Sequence, residues 1–82
     1  MKTIFMLLAQ FEKPVVKLSE ICEEYFGLSL QTARLRANAG LLPVPAFRSS
    51  QKSEYLVHLE DLANYIDERR HKEARRIGAL QT

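Results

Sequence analysis

Between Gln31 and Asn38 lie five side chains of the types that reach nucleic-acid atoms: Gln31, Thr32, Arg34, Arg36 and Asn38. Arginine pairs with the edge of guanine, and glutamine or asparagine with that of adenine. Threonine and arginine also hold phosphate oxygens. A second polar group follows, Arg48-Ser49-Ser50-Gln51-Lys52-Ser53-Glu54, set between the apolar runs Val44-Pro45-Ala46-Phe47 and Tyr55-Leu56-Val57. Taken singly, the first is most often a solvated helix face and the second a solvated turn. Together and in this order they point to duplex DNA, with one segment reading bases and a projecting tip on the adjacent backbone.

Other chemistry has little support. His58 and His71 stand far apart and Cys22 is the single cysteine, so no metal-ligand cluster is expected. Cys22 falls on an apolar helix face, where a small core residue is expected rather than a nucleophile. His58 is expected to help end a strand and begin a helix. Glu23-Glu24 face no arguable partner for acid–base work, and no glycine-rich phosphate loop is present. The expectation is a protein without cofactor, metal or catalytic residues, not an enzyme.

The elements that must position these residues are legible from period and punctuation. Thr3 to Phe11 reads as a short apolar helix, with a strand as its competitor, and Pro14 breaks it. Val15 to Leu18 reads as a short β segment. Ser19 is the expected N-cap of a helix carrying Leu18, Ile21, Cys22, Tyr25 and Phe26 on its buried face, with Gly27 at its end. Ser29 caps a further helix, 30–39, which buries Leu30, Ala33 and Ala37 and turns its polar residues outward. Gly40 ends it and Pro43 lies beyond. Residues 44–57 read as a hairpin with a flexible polar tip. A last helix runs from 59 to about 76, with Leu59, Leu62, Ala63 and Ile66 inward and Tyr65 at the flank. Residues 77–82 are expected to fray.

Eighty-two residues suit one domain, residues 1–82. So short a chain buries only about 60% of its unfolded surface, so a partner subunit would help it. The apolar Thr3–Phe11 segment either closes the core beneath the hairpin or forms a homodimer seam. Net charge is only +2, but its distribution is uneven. Residues 69–76 carry five basic residues and one acidic, while Glu20, Glu23 and Glu24 cluster elsewhere. Separate zones suit an anionic partner on one face. The lone cysteine fits a reducing, cytoplasmic setting. The apolar start is too short for a signal peptide or a membrane span, so no membrane association is expected.

The order β segment, helix, turn, helix, hairpin, helix is that of a winged helix-turn-helix, mainly α with a small antiparallel β-hairpin. The segment Leu18 to Asp67 resembles excisionase-like and mercury-resistance-regulator-like winged helices. More closely, the chain resembles the pyocin activator protein (PrtN) family. The resemblance rests on Phe5-Met6-Leu7-Leu8-Ala9-Gln10, Glu24-Tyr25-Phe26-Gly27, Ala39-Gly40, Ser50-Gln51-Lys52, Val57-His58-Leu59-Glu60-Asp61-Leu62-Ala63 and Tyr65-Ile66-Asp67. It covers about residues 3–70 and carries nothing in the helix Gln31 to Asn38. It implies a sequence-specific transcription activator of bacteriocin or prophage-type genes, typically under control of the DNA-damage response.

The expected DNA-binding set is therefore Ser29, Gln31, Thr32, Arg34, Arg36, Asn38, Arg48, Ser50, Gln51 and Lys52. Gln31, Arg34 and Asn38 would read bases, and Arg36 a base or a phosphate. Ser29 and Thr32 would donate to phosphate, while Gln51 and Lys52 would hold the backbone. The acidic face at Glu20, Glu23 and Glu24 is the candidate contact for RNA polymerase. Two other readings stay open: an excisionase-like architectural protein that bends DNA, and an anti-regulator module that uses the same fold on a protein partner.

Overall fold

The computed structural model describes residues 2–81, with side chains described through Gly78. Helix α1 (Thr3–Phe11) leads into strand β1 (Val15–Lys17), followed by helices α2 (Leu18–Phe26) and α3 (Leu30–Ala39). Strand β2 (Leu56–His58) then feeds helix α4 (Leu59–Gln81). The molecule is mainly helical with a small antiparallel sheet, an arrangement compatible with a winged helix-turn-helix. β1 and β2 pair antiparallel, with Val16 opposite Val57. Both valines are fully buried in one core with Leu18, Ile21, Cys22, Ala33, Leu59 and Leu62. Cys22 is thus a core residue.

The two turns around α3 follow from local sequence. Gly27 and Gly40 end their helices with φ of 67° and 70°. Side chains rarely adopt that left-handed region, and glycine occupies it at no steric cost. Ser29 caps α3, its Oγ accepting from the Thr32 amide at 3.2 Å.

Four features differ from the sequence-based expectation. Lys17, not Ser19, is the N-cap of α2. Leu18 must enter the core, so the helix starts there, and its amide donates to the Tyr55 carbonyl at 2.9 Å. The Glu20 carboxylate takes the capping role, accepting from the Lys17 amide at 3.2 Å and from Lys13 Nζ at 3.0 Å. That bond from Lys13 holds the Glu20 carboxyl below its ordinary pKa. The 44–57 segment is not a hairpin of two strands. Pro43 and Pro45 have no amide hydrogen to give to a ladder. Only Phe47 pairs with Leu56, through reciprocal bonds of 3.0 and 2.6 Å, and β2 takes β1 as its strand partner. α1 packs on α4 rather than beneath the hairpin: Leu7 is buried, and Thr3 Oγ1 donates to Asp67 Oδ1 at 2.6 Å. Finally, α4 runs to Gln81, past the expected end near 76 and through most of the stretch expected to fray. Nothing between Ile77 and Gln81 forbids a helix, since Gly78 is only about 1 kcal/mol worse than alanine there. Thr82 lies outside the described residues.

α4 begins where His58 was expected to act. His58 Nδ1 accepts from the Glu60 amide at 3.0 Å, and the Leu59 amide donates to the Pro14 carbonyl at 2.8 Å. Glu60 and Asp61 add negative charge to the first turn, where the helix dipole favours it. Tyr65 packs edge-on against Phe26, ring centroids 5.1 Å apart, and its hydroxyl donates to the Tyr25 carbonyl. The end of α2 is thereby held on α4, and α3 rests on α2 through buried Ala33.

Candidate nucleic-acid interface

The outward face of α3 is set by its inward one. Ala33 is buried and Leu30 and Ala37 are half-buried against the core. At about 100° per residue, Gln31, Arg34, Leu35 and Asn38 then share one outer ridge, at i, i+3, i+4 and i+7. Arg36 sits about 200° from Arg34, on the opposite flank. The expectation that Arg34 and Arg36 lie on one reading face is thereby corrected.

Beside this ridge the 48–54 segment folds into an ordered tip. Ser53 donates its amide to the Ser50 carbonyl at 3.1 Å, and Ser49 Oγ and Ser50 Oγ both bond Ser53 Oγ, at 3.1 and 2.9 Å. Arg48 reaches along the tip, donating to the Gln51 carbonyl at 3.3 Å. Its guanidinium lies 4.7 Å from the centroid of the Tyr55 ring. Internal hydrogen bonds thus link Arg48, Ser49, Ser50, Gln51 and Ser53 across the tip.

Tyr55 joins the two parts. Its ring lies under Arg48 and its hydroxyl donates to Asn38 Oδ1 on α3. Between helix and tip lies a polar groove of about 490 Å³, lined by Arg34, Asn38, Arg48, Gln51, Lys52, Ser53, Glu54 and Tyr55. Three cations and one carboxylate share it, so its field is positive.

Of the expected site residues, the fold brings Arg34, Asn38, Arg48, Gln51 and Lys52 together here. Gln31 lies on the same ridge of α3, exposed. Ser29 and Thr32 stand at the start of α3. The Ser29 hydroxyl donates to Thr32 Oγ1 at 3.0 Å, which leaves Thr32 as the hydroxyl with a proton to offer. Ser50 is turned into the tip and Arg36 is on the far flank, so neither lines the groove.

Two residues were given no role by the sequence. Tyr55 looked like one more apolar strand residue, and nothing local distinguishes a bracing tyrosine from a packing one. Leu35 is 63% exposed in the middle of the outer ridge. Its signal was available, since an aliphatic residue opposite Ala33 and Ala37 breaks the amphipathic pattern.

Among the described residues no group of three or more His, Cys, Asp and Glu is placed to hold a metal ion, and no helix is long and apolar enough to cross a membrane. Glu20 is paired with Lys13, so the exposed acidic face reduces to Glu23 and Glu24.

A helix packed through alanines, exposing a polar ridge beside a tip, is an arrangement compatible with a winged helix-turn-helix. Comparison with known families agrees. The family model of the pyocin activator protein PrtN matches residues 3–73, and the chain belongs to that family. The family is one of regulatory activators, with a role in transcription activation of pyocin genes. No curated protein and no solved structure matches the chain.

Proposed function

We propose that this protein activates transcription by binding duplex DNA sequence-specifically, with α3 in the major groove and the 48–54 tip on the neighbouring backbone. The observation that carries this reading is the bond between Tyr55 and Asn38, which ties the base of the tip to the outer ridge of α3. A helix and a tip joined in this way form a two-pronged surface. Pre-set geometry lowers the ordering cost of binding. In this reading Gln31 and Arg34 contact base edges, and the Asn38 amide NH2 faces the same groove while its oxygen is held by Tyr55. Arg36 and Thr32, one turn apart on the same flank of α3, grip phosphates there. Lys52 and Gln51 hold the backbone from the tip, with Arg48 stiffening it.

The test is a binding selection on random duplex DNA with the purified protein. An enriched motif with affinity falling steeply in salt supports the proposal. Binding that is equal on all sequences would favour an architectural role instead, and no binding at low salt a protein partner.

Two results are expected once a motif is known. Lys52→Ala should weaken binding to every sequence alike and flatten the salt dependence by about one unit, as loss of one phosphate contact does. An unchanged slope would remove the tip from the interface. Leu35, the exposed aliphatic residue on the ridge, suits a thymine methyl group. Replacing thymine by uracil at one motif position should then reduce affinity for the wild type and leave the Leu35→Ala variant indifferent. If no thymine in the motif behaves this way, Leu35 makes no methyl contact.

A further inference from the structure

Past the core, α4 goes on alone. Every residue from Glu68 to Gly78 is exposed, and the molecule measures 51 × 28 × 16 Å. A helix that is polar all round needs many internal ion pairs or a partner to justify it. Here the described pairs are few: Glu68 with Lys72 at 3.9 Å, and Glu73 with Arg76 at 2.6 Å. Arg69, Arg70 and Arg75 have none among the described residues.

The cations are not scattered evenly. Arg69, Lys72 and Arg76, at i, i+3 and i+7, form one line along the helix. Arg70 points about 100° or more away from each member of that line, and Arg75 lies off its edge, about 60° from Lys72 and about 100° or more from Arg69 and Arg76. The line has a defined place in the fold. Tyr65, Glu68, Arg69 and Lys72 share a cleft with Pro43, where the two cations outnumber the one carboxylate. Pro43 also borders the groove beside Ala37 and Gly40, at the C-terminal end of α3. A continuous surface therefore leads from the end of α3 through Pro43 to the basic line of α4.

We infer that this line, Arg69, Lys72 and Arg76, is a third DNA contact that grips phosphates of the duplex flanking the segment read by α3 and the tip. The inference rests on the DNA-binding reading above and adds a footprint beyond it. A cationic row on a surface that leads, through Pro43, to the end of α3 has the charge that a polyanion needs. Its length of about 10 Å along the axis matches about three base steps. Basic residues near a helix C-terminus are also favoured by the dipole, but that effect ignores which face they occupy. The face is what the experiment tests.

Two duplexes carrying the selected motif are compared by salt titration, one trimmed to the motif and one extended by about ten base pairs on each side. For the wild type, the extended duplex should show a steeper slope, by about two units if Arg69 and Lys72 each neutralise one phosphate. The double variant Arg69→Gln/Lys72→Gln should lose that difference and bind the trimmed duplex as the wild type does. The double variant Arg70→Gln/Arg75→Gln removes the same charge from outside the line and should keep the difference. If both double variants lose it equally, or if the wild type shows no difference, α4 makes no such contact. If the wild type binds neither duplex, the DNA reading itself fails, and this inference with it.

Discussion

Arg34→Ala is expected to weaken binding to the preferred DNA sequence by about 1–3 kcal/mol, roughly 5- to 150-fold, and to erase preference at one base position. Arg34 is exposed on the outer ridge of α3, borders the groove beside the tip and forms no ion pair among the described residues. An arginine held there can turn its fork to a guanine edge. The variant should stay folded, since surface changes usually move stability by less than about 0.5 kcal/mol. Affinity is measured on the selected site and on each of its single-base-pair variants. A loss concentrated at one position identifies base reading. A uniform loss over all sequences, with a flatter salt slope, would make Arg34 a phosphate contact and leave base reading to Gln31 and Asn38.

The second large effect is on folding. Leu62→Ala should lower stability by about 2–5 kcal/mol, the range for a leucine deleted from a packed core. Leu62 is fully buried on α4, among the largest of the fully buried side chains. A domain of this size has only about 4–12 kcal/mol in total. The midpoint of thermal unfolding should drop by at least about 8 °C. The removed methyls belong to the core that α1, the sheet, α2 and α4 share. No single element can collapse into the gap without shifting the others. Denaturant unfolding of the variant checks this, with the slope against denaturant unchanged. A loss below about 1 kcal/mol would mean that the core repacks around Leu62. DNA affinity per folded molecule should remain that of the wild type, which separates this variant from Arg34→Ala.

The bracing role of Tyr55 bears on both results. The tip meets the body through the Phe47–Leu56 bridge, and α3 through the bond from Tyr55 to Asn38. Stability lost in the core loosens the sheet that carries β2, and with it the anchor of the tip. Affinity should therefore be measured well below the unfolding midpoint of each variant.

Much of this protein was determined by the sequence alone, because the forces involved are local. Ser29 caps α3 and Gly27 and Gly40 end their helices through bonds and dihedral angles that span only a few residues. The inward stripes of α2, α3 and α4 follow from the 3.6-residue period. The family was legible from motifs spread along the chain, and the family match over residues 3–73 agrees with that reading. The opposition of Arg34 and Arg36 was also implicit in the period, once the buried face of α3 was known.

Only the tertiary structure decided the rest. The strand partner of β2 lies some forty residues away in β1, while the nearer arm, which holds Pro43 and Pro45, pairs only at the single Phe47–Leu56 bridge. Ser19 lost its capping role because Leu18 had to enter the core one residue earlier. The pairing of Tyr55 with Asn38 joins residues 17 apart in sequence, and it gathers Arg34, Lys52 and Gln51 around one groove. Propensity and period set what a segment becomes and which face it hides. Which segments then meet is set by shared burial, and that depends on the whole chain.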